Sequence, residues 1–260
     1  MPHSPPRVLS IAGSDSGGGA GIQADLKAFA RCGVHGMTAI TAVTAQNTAA
    51  VTGVYPLPPE AIVEQVRAVA EDIGVDAVKT GMLGNAEAVA AVGRGLDLLP
   101  GAPLVLDPVM VAESGARLLD EEAEEALRAL LPRAAVVTPN LAEAAVLTQM
   151  AEETDPERLA HAVHELGPTA VVVTGGHDDP AVDVFFDGDR LERILGERHP
   201  GGASHGSGCT HSSALAAHLA LGFEPPEAAR RAKEIASEAV RNGLRGLGAG
   251  AGPVDVFGPR

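Results

Sequence analysis

The chain has 260 residues, 45% apolar and 20% charged, with no Trp, one Tyr and five Phe. This is the composition of a packed protein with an aliphatic core, long enough for a single α/β domain spanning 1–260 and short for two. A formal charge of −15 repels polyanions at long range and argues against a nucleic-acid surface or an anionic-membrane partner.

The first apolar run, 7–12, ends in Gly13-Ser14-Asp15-Ser16-Gly17-Gly18-Gly19, and a helical pattern through Ile22, Leu26 and Phe29 follows. That order is strand, glycine-rich loop, helix. Helical patterns over 60–73, 86–99, 121–131 and 156–166 then alternate with apolar runs over 76–80, 104–106, 135–138 and 170–173. Short continuous apolar runs bounded by helices predict a central, mostly parallel sheet with helices on both faces. Runs at 182–186 and 191–198 flank Asp187-Gly188-Asp189 and predict an antiparallel hairpin at the sheet edge. Helices over 209–221 and 226–244 and a glycine-rich tail over 246–252 close the chain.

No signal-peptide pattern or apolar run of spanning length is present, so a cytoplasmic protein is expected. Cys32 and Cys209 lie in unrelated contexts and are expected as free thiols.

In an open parallel sheet, ligands bind outside the carboxyl ends of the strands. This selects the loops at 13–21, 45–47, 80–84, 107–110, 139–143, 174–177 and 205–210. In the last, Gly206, Ser207 and Gly208 precede an Ala/Leu-rich helix, which suits an anion site made of backbone N–H groups and a helix start. A plain cap turn needs only one Ser or Gly. Cys209 falls in the first turn, where the helix dipole lowers a thiol's pKa and equips it for proton transfer; it is equally readable as a small buried hydrophobe. His205 is an alternative proton acceptor, or a loop residue with no role.

The 13–21 loop has neither the G-x-G-x-x-G spacing nor the lysine of a P-loop. Asp15 there either binds a ligand hydroxyl or amine or stabilises a turn. Asn140 and Glu143, three apart at a strand-to-helix junction, are placed to hold magnesium through water or to form a capping box. Asp107, ending a strand, is a second metal anchor. Lys79 sits near another strand end, where a surface lysine is the plain alternative.

Taken in order, the stretches AGSDSGGGAGIQADLKAF (12–29), ITAVTAQNT (40–48), KTGML (79–83), LDPVMV (106–111), VTPNLAEAA (137–145), Gly175-Gly176-His177 and 205–214 resemble the ribokinase-like superfamily. Within it, they resemble the bacterial hydroxymethylpyrimidine/phosphomethylpyrimidine kinases of thiamine biosynthesis. The resemblance implies ATP, magnesium and a pyrimidine substrate in a homodimeric enzyme. It further implies Gln46 on the pyrimidine's ring nitrogen and amino group, with Gly13, Met82 and Val109 shaping the pocket. Cys209 takes the place of the sugar kinases' Asp base, and Asn140 and Glu143 match the magnesium and phosphate motif. Thr174 and Gly176 fall in the nucleotide loop, where relatives commonly carry Lys before Gly-Gly-His; Lys79 or an arginine is left to compensate. A pyridoxal kinase and a non-catalytic nucleotide sensor on the same fold are the competing expectations.

Overall fold

The computed structural model describes residues 4–175 and 181–258. Its elements are β1 (Arg7–Ala12), α1 (Gly21–Cys32), β2 (His35–Ile40), β3 (Ala42–Gln46), β4 (Val51–Pro56), α2 (Pro59–Asp72), β5 (Ala77–Thr80), α3 (Ala86–Leu96) and β6 (Leu104–Leu106). These are followed by α4 (Glu124–Arg128), β7 (Val136–Val137), α5 (Leu141–Thr148), α6 (Pro156–His164), β8 (Val171–Val173), β9 (Ala181–Phe186), β10 (Leu191–Gly196), α7 (Ser207–Ala220) and α8 (Pro225–Arg241).

Eight strands form one sheet in the order β10-β9-β8-β7-β6-β5-β1-β2. Pairings from β2 through β8 are parallel, and β9 and β10 close the edge as the expected antiparallel hairpin. Strands β5, β6, β7 and β8 are buried along their whole length because helices cover both faces. On one face Ile62, Val66, Val92 and Leu159 pack from α2, α3 and α6. On the other, Phe29, Leu215 and Ala229 pack from α1, α7 and α8. Helix starts are set by local chemistry: Asn85 and Asp155 cap α3 and α6 through their side chains, and Pro59 and Pro225 open α2 and α8.

Two expectations change. The helix over 121–131 is broken into a 3₁₀ turn (Glu121–Ala123), the short α4 and a second 3₁₀ turn (Leu131–Arg133). Pro132 has no N–H to donate and disfavours a helical residue before it. Residues 35–56, to which the sequence pattern assigned no element, form β2 and a separate two-stranded ribbon, β3–β4. Strand β4 is mostly exposed and β3 alternates between buried and exposed positions, so the ribbon carries no apolar run.

Because β1 lies between β5 and β2, the chain reverses its direction of growth across the sheet there. The glycine-rich loop therefore leaves the sheet at its switch point, where a crevice opens.

Candidate active site

The loops at the carboxyl ends of β1, β5, β6, β7 and β8 join the β3 end and the α7 start around one cleft of about 460 Å³. Gly13, Gln46, Met82, Val109, Asp107, Asn140, Glu143, Thr174, Lys79 and 206–209 all line it. Gly176 and His177 lie outside the described residues.

Gly206 caps α7 with φ +86°, and a Cβ there would stand 1.8 Å from the Gly19 carbonyl oxygen. Only glycine allows the two loops to approach this closely. The Ser207 N–H is already used, donating to the Ser204 carbonyl at 2.9 Å, which corrects its expected place in the anion hole. The N–H groups of Gly208 and Cys209, in the first helical turn, have no intrahelical partner, and nothing stands within 4 Å of a Cβ built on Gly208. These two donors are open to the cleft.

The cysteine does not behave as its helix position suggests. Its thiol lies deep against the cleft floor although the residue keeps some surface. Burial pushes it up to about 12, helped by Asp25 and Asp107, and neither Lys79 nor the Gly21 N–H offsets this. The free enzyme therefore holds a thiol at neutral pH. We expect iodoacetamide at pH 8 to label Cys209 at least about tenfold more slowly than a small-molecule thiol, because the thiolate is the nucleophile. Peptide mass spectrometry reads the result, and fast labelling would restore a helix-lowered pKa.

Lys79 is not a surface residue. It is fully buried, with Nζ 2.9 Å from Asp25 Oδ1 and 3.9 Å from Asp107 Oδ2. Burial works against its charge, but these anions and Cys209 more than offset that, and its pKa is raised. It meets the cleft only at its floor, with no exposed surface to offer the expected contact with a nucleotide, and its charge acts on Cys209. Asp25 also accepts from Ser10 Oγ at 2.5 Å and Ser213 Oγ at 2.7 Å. No role for Asp25 was read from the sequence. Its signal was available: Asp25 stands three residues after Ile22 and four before Phe29, a carboxylate on the buried stripe of α1.

Asp15, expected to meet a ligand, is spent on the loop. Its Oδ1 accepts from the Gly17 N–H, and its Oδ2 accepts from Gly19 and Ala20 and pairs with His205 Nε2 at 3.0 Å. Burial opposes its charge, yet these bonds hold the carboxyl below its usual range. His205 is thereby a brace between two loops.

Asn140 and Glu143 form the capping box, with bonds of 2.9 and 3.0 Å, and Glu143 also accepts from the Met110 N–H at 3.4 Å. Burial and neighbouring Asp107 still push Glu143 up to about 8, and burial raises Asp107 as well. Two oxygen-donor carboxylates that resist ionising together suit a divalent cation. No set of three or more His, Cys, Asp or Glu is grouped for a metal among the described residues. The pair therefore fits Mg2+, which keeps waters and substrate oxygens, better than an all-protein cage.

The chain matches the phosphomethylpyrimidine kinase family over residues 15–255. It belongs to that family. It is 50% identical over 260 residues to the hydroxymethylpyrimidine/phosphomethylpyrimidine kinase of Streptomyces coelicolor, covering 98% of this chain and 95% of the relative. Among solved structures, an ADP complex of Bacillus subtilis pyridoxal kinase is similar at TM-score 0.89 and 39% identity, covering 98% of each chain. A phosphomethylpyrimidine kinase from Clostridium difficile is similar at TM-score 0.79 and 40% identity, covering 90% of this chain and 99% of that one. The ribokinase-like fold and the kinase class expected from the ordered motifs are thus borne out.

Proposed function

We propose that this kinase transfers the γ-phosphoryl group of ATP to the hydroxymethyl oxygen of 4-amino-5-hydroxymethyl-2-methylpyrimidine, and in a second round to the monophosphate, in thiamine biosynthesis. The observation that carries the reading is that Gln46 and the α7 start with Cys209 line the same cleft. Gln46 stands at a β-bulge on the ribbon, its Oε1 3.3 Å from Thr44 Oγ1. Its amide offers donor and acceptor side by side, the complement of an aminopyrimidine edge. Gly13 approaches Met82 so closely that a Cβ would stand 3.1 Å from the Met82 sulfur; with Val109 they wall a flat ring.

In the first transfer, the acceptor oxygen bonds to the γ-phosphorus as the bond to ADP breaks, and the hydroxyl proton passes to the Cys209 thiolate, formed when the buried thiol gives its own proton to solvent; in the second round the acceptor is a phosphate oxygen. The transition state is loose, so positioning and charge stabilisation supply most of the rate. The Gly208 and Cys209 N–H groups meet the developing charge. Asp107 and Glu143 are the residues that would hold Mg2+, which when bound would supply positive charge to the phosphate oxygens.

Incubation with Mg-ATP and the pyrimidine tests this directly. Appearance of both mono- and diphosphate supports it; no turnover of either substrate discards it. ATP binding without any transfer would favour the sensor reading. A pyridoxal kinase is kept as the second reading because the pyridoxal kinase TM-score of 0.89 exceeds the 0.79 of the pyrimidine enzyme, although sequence identity reaches 50% with a pyrimidine kinase. Specificity constants for the two acceptors separate them.

Gln46→Leu is expected to weaken pyrimidine binding by roughly 2–4 kcal/mol, through lost hydrogen bonds and unpaired ligand polar atoms. An unchanged Michaelis constant would move recognition elsewhere. We extend the reading to one catalytic domain in a cytoplasmic homodimer, since Val43 and Tyr55, paired across the ribbon, leave an exposed apolar patch on one of its faces suited to a second copy.

A further inference from the structure

Away from Gln46, the cleft ends in a cluster whose Asp183 and Lys233 no sequence motif marked. Asp183 of β9 is 1% exposed. Its Oδ1 accepts from the Gly175 N–H at 3.1 Å and from Lys233 Nζ at 2.6 Å, and its Oδ2 lies 3.3 Å from His211 Nε2. One carboxylate thus ties the turn after β8 to the first turns of α7 and the middle of α8. His211 stands near Asp183 without hydrogen-bond alignment, and both its ring nitrogens are buried and unpartnered among the described residues. Burial opposes ionisation of Asp183, but His211 and Lys233 outweigh it and hold the carboxyl below its usual range.

Lys233 reaches this point by crossing Gly196 at the end of β10. A Cβ at 196 would stand 2.4 Å from Lys233 Cε, so the lysine stem passes only because that residue has no side chain. Lys233, Asp183, His211 and Thr174 share one wall of the cleft. An ammonium has three N–H donors, and Asp183 is the one side-chain acceptor that engages Lys233 among the described residues.

A nucleotide whose γ-phosphoryl group sits at the α7 start, with the acceptor on the Gln46 side, extends its remaining phosphates toward this wall. Several negative charges buried in a chain of formal charge −15 require a cation there. Lys79 is held under the floor between Asp25 and Asp107, and Arg198 lines the cleft from an exposed position. We propose that Lys233, threaded past Gly196 and oriented by Asp183, is the cation that meets the nucleotide phosphates in this chain, where Thr174 offers none, with His211 as a second donor. The proposal rests on the kinase reading and specifies its nucleotide side.

Calorimetric ADP binding with Mg2+ tests it independently of the acceptor. Lys233→Met combined with Asp183→Asn removes both charges together and leaves no unpaired buried carboxylate. We expect the Kd for ADP and the KM for ATP to rise about tenfold or more, with the pyrimidine KM shifting less than about twofold. Adding Thr174→Lys to the double variant returns a cation to the same wall and recovers most of the loss. ADP binding as tight as in the native chain, no recovery by Thr174→Lys, or equal losses of ADP and pyrimidine binding would each overturn the proposal. A native chain that fails to bind ADP would instead sink the kinase reading itself.

Discussion

Cys209→Ala is expected to lower kcat by about a hundredfold or more, the usual range for loss of a positioned proton acceptor, while the pyrimidine Kd changes little. The side chain carries little of the core, and Gln46, Gly13, Met82 and Val109 stay in place. The effect is expected toward the lower end of that range, because the buried thiol is pushed up to about 12 and a loose phosphoryl transfer asks little of its base. The Gly208 and Cys209 N–H groups belong to the backbone and survive the change, so a residual rate above solution chemistry remains. Stopped-flow or steady-state assays with saturating pyrimidine read the result. Near-normal kcat would remove Cys209 from proton transfer. His205, whose Nε2 is held by Asp15 at 3.0 Å, is then the next group to replace.

Asp25→Ala is expected to reduce unfolding free energy by about 3–5 kcal/mol, the cost of leaving a buried partner charge uncompensated. Lys79 would be left fully buried with Asp107 at 3.9 Å as its remaining partner, and Ser10 and Ser213 would lose the acceptor that both now use. Urea unfolding of the native chain and the variant measures this. Combining Asp25→Asn with Lys79→Met removes the charges as a pair and should recover more than half of the loss; a single variant within about 1 kcal/mol of the native chain would show that water or Asp107 compensates Lys79.

Particular residues mark where sequence reasoning reached and stopped. The Val-rich strands were legible because a strand buried on both faces must be apolar at consecutive positions, as in β8 with Val171, Val172 and Val173. The β3–β4 ribbon was not, because Val43, Val54 and Tyr55 face outward and leave no pattern to read. The same contrast holds in the cleft. Gly206 announces a tight approach by its type, and the structure supplies the neighbour, the Gly19 carbonyl. Asp15 looks like a ligand contact until the N–H groups of Gly17, Gly19 and Ala20 are seen converging on it. Asn140 and Glu143 allowed a cap or a metal site; the cap forms, and Glu143 still lines the cleft together with Asp107.

By itself, the sequence determined the alternation of strands and helices, the edge hairpin and the loops that line the cleft, because each is written in local spacing and residue type, and its ordered motifs carried the family resemblance. Only the tertiary structure decided what charges those loops carry. The Cys209 thiol, which its place in a helix suggests should be acidic, is weakly acidic because burial and two carboxylates, Asp25 and Asp107, outweigh the helix start and Lys79. Lys79 is sealed beneath the site, and Lys233 arrives through the gap left by Gly196. Such energies depend on dielectric surroundings and on distances of a few ångströms between residues far apart in the chain, quantities that exist only once it has folded.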